Sequence, residues 1–376
     1  MDYNDAVRLE KKYFAQLFDR LPLLITSGKD VYVFDSQGKK YLDIFSGVAV
    51  SSVGHAHPAV VKAIKDQAGK LIHASNWVYT EPQLELAEKL TKLTGLERVF
   101  YSNDGAGAVE ASLKLARSVT GKKEIISMEK SFHGRTFGAL SATWSEKYRK
   151  PFMPLVPGFK FAKYNDIESL KKEITDDTAA VIVEPILGEA GVIIPDDNYL
   201  QQVRELTQKK GALLIVDEIQ TGFGRTGEWF EYKRAKIKPD ILLLAKGLGG
   251  GFPVGAILYS GFDYKKGEHG GTFNGSPLAC TIAKTVIEII EKEKLVVNSK
   301  KTGKYLIDKL KGYKTHGRGL MIGLDVDDGK KQALKLIENG LIPIYSGNTL
   351  RILPPLTLKR EHADNIIRKI TEVIPK

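Results

Sequence analysis

The strongest constraint on this chain is a recurrence of short apolar runs rich in β-branched residues. Val99–Ser102, Ala179–Glu184, Ala212–Asp217, Ile241–Ala245 and Gly255–Ser260 are separated by longer stretches with apolar residues at helical spacing. Strands buried on both faces read as nearly continuous apolar runs, because neither side chain direction meets water. The alternation predicts a mostly parallel sheet flanked by helices, an α/β architecture. Leu84, Leu86, Ala87, Leu90 and Leu93 give the helical period in Gln83–Leu93, and Leu200, Val203 and Leu206 give it in Asn198–Lys210. Near the start, VYVFDSQGKKYLDIFSG reads as two alternating strands around turn residues Ser36–Gly38. The last third mixes a helix at Leu278–Glu291 with short strands near Leu320–Val326 and Arg351–Leu353. The expected division is an N-terminal segment (1–45) joining a small domain, a large domain (46–273), and a C-terminal small α+β domain (274–376).

With 376 residues the chain can bury an enzyme-sized core. No apolar run approaches the roughly 18 residues that span a bilayer, and Asp2, Asp5, Glu10 and Asp19 near the start do not suit a secretion signal. The expectation is a cytoplasmic protein without membrane insertion. Cys280 is the only cysteine, which excludes an internal disulfide and a thiolate cluster; in SPLACTIA it reads as a small buried residue. The net charge of +11 is spread over scattered lysines without interleaved aromatics, the pattern of a solvated basic surface and not of a nucleic-acid site. His55 and His57 in GHAHP have metal-like spacing, but no cysteine or acidic cluster accompanies them, so they read as structural and no metal is expected.

The chemistry gathers at strand ends. Lys246 directly follows ILLLA and precedes GLGGG, a lysine at the carboxyl end of a buried strand, where open α/β sheets place ligands. Such a lysine either reaches back to solvent or is neutral, paired or covalently occupied. Asp217 is the first charge after GALLIV and needs a cationic partner, for which a protonated pyridine nitrogen would serve; its neighbour Glu218 could instead be half of a buried salt bridge. YSNDGAGAVEASLKLAR passes from strand to helix through Asn103–Gly107, a turn whose free N–H groups and dipole suit a phosphate. In SFHGRT, Phe132 could stack on a flat ring and Arg135 could grip a carboxylate.

Taken together these segments resemble the class III (ω-amino acid) aminotransferases of fold type I, and among them the acetylornithine aminotransferases. SGVAVSSVGHAHPAV, SNDGAGAVEASLKLAR, SFHGRT, VEPILGEAGV, VDEIQTGFGRTG, LLLAKGLGGGFPVGA, GGTFNGSPLA and RILPPLT occur in the family's order over nearly the whole chain. The resemblance implies the fold type I architecture and pyridoxal 5′-phosphate, with Lys246 as the Schiff-base lysine and proton carrier. Asp217 would pair with the ring nitrogen, Gln220 would approach the ring hydroxyl and Phe132 would stack on the ring. Gly105 and Ala106 would contact the phosphate, and Thr272 would reach the phosphate of a neighbouring subunit, which implies a homodimer with shared sites. Arg135 would hold the donor's α-carboxylate, Arg351 the α-carboxylate of glutamate or 2-oxoglutarate, and Glu189 would mask Arg351 when an ω-amine is bound. Glu184, in the same VEPILGE stretch, is grouped with the substrate-binding residues.

Asp104 stands where the family commonly has serine, Leu187 where it has glutamine, and Asn274 and Ser276 where glycine and asparagine are more familiar. Val48 and Ala49 offer no hydroxyl, unlike the tyrosine typical of enzymes that accept free ornithine. The implied reaction moves the terminal amine of an Nα-blocked diamino acid, N-acetylornithine, to 2-oxoglutarate in arginine synthesis. The alternatives are an enzyme for lysine or ornithine on an acidic amino-group carrier protein, a 4-aminobutyrate or ornithine aminotransferase, a glutamate-1-semialdehyde aminomutase, and a non-catalytic binding protein.

Overall fold

A computed structural model describes residues 1–375. Its centre is a seven-stranded sheet in the order Arg98–Ser102, Gly255–Tyr259, Ile241–Leu244, Leu213–Asp217, Thr178–Val183, Glu124–Met128 and Phe159–Ala162. Gly255–Tyr259 runs antiparallel to both its neighbours, and the other pairings are parallel. Every residue of Thr178–Val183 and Ile241–Leu244 is buried, which explains the uninterrupted apolar runs. Two strands, Glu124–Met128 and Phe159–Ala162, have no counterpart among the runs read from sequence. The second is an edge strand of alternating FKFA, half-buried over most of its length, so its apolar signal is diluted.

Because the parallel strands run the same way, Ser102, Val183, Asp217 and Leu244 all end at one edge. The turns leaving that edge carry Asn103–Gly105, Glu184 and Lys246. Gly255 lies opposite Ser102, and a side chain there would sit 2.4 Å from the Asp104 carbonyl oxygen, so only glycine lets these two segments close up.

Two smaller four-stranded sheets complete the molecule. Ile25–Lys29, Tyr32–Asp35 and Lys40–Asp43 form an antiparallel ribbon, including the hairpin expected around Ser36–Gly38, and Lys40–Asp43 pairs in parallel with Leu341–Ile342. The two ends of the chain therefore share one sheet. Thr315–Arg318, Met321–Asp325, Thr349–Ile352 and Ile344–Ser346 form the other. The helix Pro277–Lys292 buries its apolar face against the helices Pro58–Ala68 and Glu81–Thr94, with Cys280 fully buried in it. No helix among the described residues is long and apolar enough to cross a membrane.

Candidate active site

A cleft of about 400 Å³ opens at the carboxyl edge of the large sheet. Of the residues singled out from sequence, Gly105, Ala106, Phe132, Glu184, Glu189, Asp217, Gln220 and Lys246 line it. Arg351 reaches the same place through Glu189. Arg135 and Thr272 do not line the cleft; both are exposed.

Lys246 begins a single 3₁₀ turn immediately after its strand, with φ at +41°. Burial pushes its amine below the usual lysine range; the charge of Glu189 opposes that shift and Arg351 adds to it. A fraction of neutral amine is what a nucleophilic lysine requires.

Asp217 is 4% exposed, and its Oδ2 lies 2.7 Å from His133 Nδ1, while Oδ1 accepts the Ile219 amide at 3.0 Å. The imidazole is thereby fixed in orientation, and its Nε2 is buried with no partner among the described residues. His133 has no role assigned from sequence, and it proves to be the residue that holds Asp217. The other reading, in which Glu218 is half of a buried salt bridge, is not what the structure contains. Glu218 is fully buried, accepts the Tyr232 amide and the Thr221 hydroxyl, and has no cation partner among the described residues; burial pushes its carboxyl up to about 8.

Glu189 closes over Arg351 in a two-pronged ion pair, with Nη1–Oε1 2.7 Å and Nη2–Oε2 3.1 Å. Gln220 donates its amide to the same Oε1 at 3.2 Å, and its own Oε1 is buried with no partner among the described residues. Burial works against ionisation of Glu189, but the charges of Arg351 and Lys246 overcome it and hold the carboxyl down at about 2. Glu184 lines the cleft, with both oxygens engaged by backbone amides, Phe132 at 2.8 Å and Gly188 at 3.3 Å. Burial raises it to about 7. Its position ties the Phe132 loop to the Gly188–Glu189 turn.

At the other end of the cleft the helix Gly105–Thr120 begins. Asp104 caps it, accepting the Gly107 amide at 2.6 Å, so the departure from serine still satisfies a free helix donor. Among the described residues the amides of Gly105 and Ala106 have no partner. Glu110, one turn further along and also unmarked by the sequence reading, takes the Thr136 hydroxyl at 2.6 Å and the Gly138 and Ala139 amides at 2.8 and 3.1 Å on a single oxygen. It locks the Phe132–Thr136 loop onto the phosphate-type helix.

The opposite wall includes Val50. It follows four residues, Ser46 to Ala49, that all lie in the left-handed region (φ 44°, 64°, 64° and 63°). For the three that are not glycine this costs about 1–2 kcal/mol each, and the turn is pinned by Asp43, which accepts the Phe45 and Ser46 amides, and by the Ser46 hydroxyl on the Leu353 carbonyl. The wall residue is thus Val50 and not Val48 or Ala49, the positions marked from sequence. His55 and His57 bond carboxylates, Asp43 at 2.7 Å and Glu293 at 3.1 Å, and His57 caps the helix Pro58–Ala68.

The family model for "Aminotransferase class-III" matches residues 13–374. An acetylornithine aminotransferase of Methanosarcina acetivorans is 46% identical, over 97% of this chain and 95% of that one. One of Archaeoglobus fulgidus is 47% identical, over 96% and 98%. The chain is a class III aminotransferase. Among solved structures, an ornithine aminotransferase of Toxoplasma gondii is similar at TM-score 0.96 with 32% identity, covering 99% of this chain and 95% of that one. An acetylornithine aminotransferase of Elizabethkingia anophelis is similar at TM-score 0.87 with 32% identity, covering 100% and 99%.

Class III aminotransferases depend on pyridoxal 5′-phosphate, and this aminotransferase has the groups for it. Among the described residues Gln220 Oε1 and the Gly105 and Ala106 amides have no partner, and they share one cleft with Lys246 and the buried carboxylate of Asp217, a set of polar groups that fits the cofactor's hydroxyl, phosphate and ring nitrogen.

Proposed function

We propose that this aminotransferase moves the terminal amino group of N-acetylornithine to 2-oxoglutarate, giving N-acetylglutamate semialdehyde and glutamate, a step of arginine synthesis. The observation that carries the reading is the Glu189–Arg351 pair beside Lys246: a carboxylate anchor present in the cleft but masked. A masked anchor suits an enzyme that must take an ω-amine in one half of its cycle and an α-amino acid in the other. The names of the relatives, 42–47% identical over nearly their whole length, support N-acetylornithine as donor. Val50 has no hydroxyl to hold a free α-amine, which supports a donor whose α-nitrogen is blocked.

Bound pyridoxal phosphate supplies the electron sink for the amino-group transfer. Asp217, steadied by His133, would pair with the ring nitrogen and favour its protonated form. Phe132 would cover one face of the ring, Gln220 would meet its hydroxyl, and Gly105 and Ala106 would meet its phosphate. Lys246 carries the substrate's proton on its amine. Arg135 takes the donor's α-carboxylate, Glu184 holds the loop that bears Phe132, and Arg351 takes the α-carboxylate of glutamate once Glu189 swings off it. The chain works as a homodimer in the cytoplasm, divided as 1–45, 46–273 and 274–376, with Thr272 serving the partner's phosphate site. Supporting this, Thr272 lies outside its own cleft and Phe273 beside it is 62% exposed, as are Trp77 (95%) and Tyr79 (92%), an apolar surface that calls for cover.

The test is a panel of amines with 2-oxoglutarate: N-acetylornithine, ornithine, N-acetyllysine, 4-aminobutyrate and a carrier-linked lysine. N-acetylornithine should have the highest kcat/KM. A higher value for any other donor would replace the assignment by that donor.

A further inference from the structure

The loop from Phe132 to Ala139 is fixed along its backbone. Glu184 takes the Phe132 amide, Thr143 takes the His133 amide and donates to the Gly134 carbonyl, and Glu110 takes the Gly138 and Ala139 amides. Gly134, at φ 131°, rests so closely on Ala106 that a side chain there would stand 2.9 Å from its Cβ. The Cα of Arg135 is therefore set, and what remains free is its side chain. Among the described residues the Arg135 guanidinium forms no hydrogen bond and has no acid within salt-bridge distance. It lies over one neighbour only, the ring of Tyr148, at 4.2 Å from the centroid.

That ring is itself held. Tyr148 sits in the short helix Glu146–Arg149, whose flanks dock on the edge strand: Trp144 meets Phe161 edge-on at 5.0 Å and Arg149 lies over the same ring at 4.7 Å. The Tyr148 hydroxyl has no hydrogen-bond partner among the described residues, so its face and not its oxygen makes the contact. A guanidinium lying over an aromatic face keeps its planar N–H fork unspent, because the attraction comes from the ring's quadrupole. An acid in the same place would have consumed the fork, as Glu189 does at Arg351. The two arginines thus rest in opposite states, one masked and one open.

We propose that Tyr148 is a positioning residue for the amino donor: its ring is the shelf that holds Arg135 extended and unpaired, ready for the α-carboxylate of the Nα-blocked diamino acid. The proposal rests on the reading of Arg135 as the donor's carboxylate anchor. Holding the side chain beforehand removes the entropy that an arginine with several free torsions would otherwise lose on binding. The effect therefore falls on donor affinity and not on the chemical step.

The experiment compares two donors that differ only in the carboxylate, N-acetylornithine and N-acetyl-1,4-diaminobutane, in single-turnover half-reactions of the cofactor-loaded enzyme. Tyr148→Leu should raise the half-saturating concentration of N-acetylornithine by roughly fivefold to thirtyfold, with the limiting rate little changed. The donor without a carboxylate should respond to Tyr148→Leu as to the unaltered enzyme. Tyr148→Phe, which keeps the face, should restore most of the affinity. Tyr148 also meets Phe132 edge-on at 6.1 Å, so a contribution through the cofactor ring is the competing account. Equal losses with both donors would establish that account and overturn the shelf, as would a Phe variant as impaired as the Leu variant. Arg135→Ala separates the two levels. If it leaves the discrimination between donors intact, the anchor reading fails and the shelf with it. If it abolishes discrimination while Tyr148→Leu does not, the shelf alone fails.

Discussion

Glu189 and Arg351 meet through two hydrogen bonds of 2.7 and 3.1 Å while Lys246 is close enough to help hold the Glu189 carboxyl at about 2. One carboxylate thus answers two cations, Arg351 by contact and Lys246 by its charge. Arg351 is only 3% exposed, so unmasking it creates a desolvated cation that a substrate carboxylate must replace.

Removing the anchor should split the two half-reactions. Arg351→Ala is expected to weaken the half-reaction with glutamate by roughly tenfold to a hundredfold, the range of a lost charge-assisted pair. The half-reaction with N-acetylornithine should be largely spared. Glu189→Ala should do the reverse, improving glutamate binding and eroding the preference for the ω-amine, because specificity is a difference between two affinities. Stopped-flow spectra of each half-reaction measure both. Equal losses everywhere would reduce the pair to a structural ion pair.

Lys246→Ala removes the nucleophile and the proton carrier together. Turnover should fall by roughly a thousandfold or more, yet pyridoxal phosphate should still bind, since Asp217 and the Gly105–Ala106 turn are untouched. Equilibrium dialysis reports retention and coupled glutamate formation reports activity. Substantial turnover by this variant would remove Lys246 from the chemistry.

Asp104 makes an unusual compromise. Its carboxylate caps the helix Gly105–Thr120 but places a negative charge at the cleft end meant for a phosphate dianion. Asn caps helices about as well as Asp, so Asp104→Asn should keep the fold and tighten the cofactor by roughly threefold to tenfold. Fluorescence titration of the apoenzyme gives the dissociation constant. Weaker binding by the Asn variant would mean that the carboxylate helps the site in some other way.

What was legible in the sequence was what lies on a single strand and its following turn. Lys246 and Asp217 each end an apolar run, so their burial and their edge of the sheet could be read locally. His133, Glu110 and Tyr148 act across elements: His133 reaches Asp217 over 84 positions, and Glu110 reaches the loop 26 to 29 positions away. Nothing in their own neighbourhoods marks them. The cleft wall at Val50 was displaced from the expected Val48 and Ala49 because the preceding turn winds left-handed, a geometry that apolar periodicity does not encode. Thr272 lies outside the cleft of its own chain, and one chain's sequence contains no signal for where a second copy would lie.

Glu218 offers a test of the buried interior by pH. In the unfolded chain its carboxyl titrates near the ordinary 4.5, whereas burial raises it to about 8 in the fold, against the opposing hydrogen bonds from the Tyr232 amide and the Thr221 hydroxyl. Between those values the folded protein keeps a proton that the unfolded chain has released. Stability from this group is therefore fully present below about pH 4.5 and is lost as pH rises through about 8. Glu218→Gln stays neutral throughout and can still meet both partners, its oxygen accepting the Tyr232 amide and its amide donating to Thr221. Relative to the unaltered enzyme, its melting midpoint should climb by roughly a few degrees between pH 5 and pH 8. Glu184 also titrates in that window, being raised to about 7, but it is common to both proteins and cancels in the difference. Calorimetry at matched cofactor loading measures the two curves, and a pH-independent gap between them would show that Glu218 is ionised in the fold and has a cation that the structure does not give it.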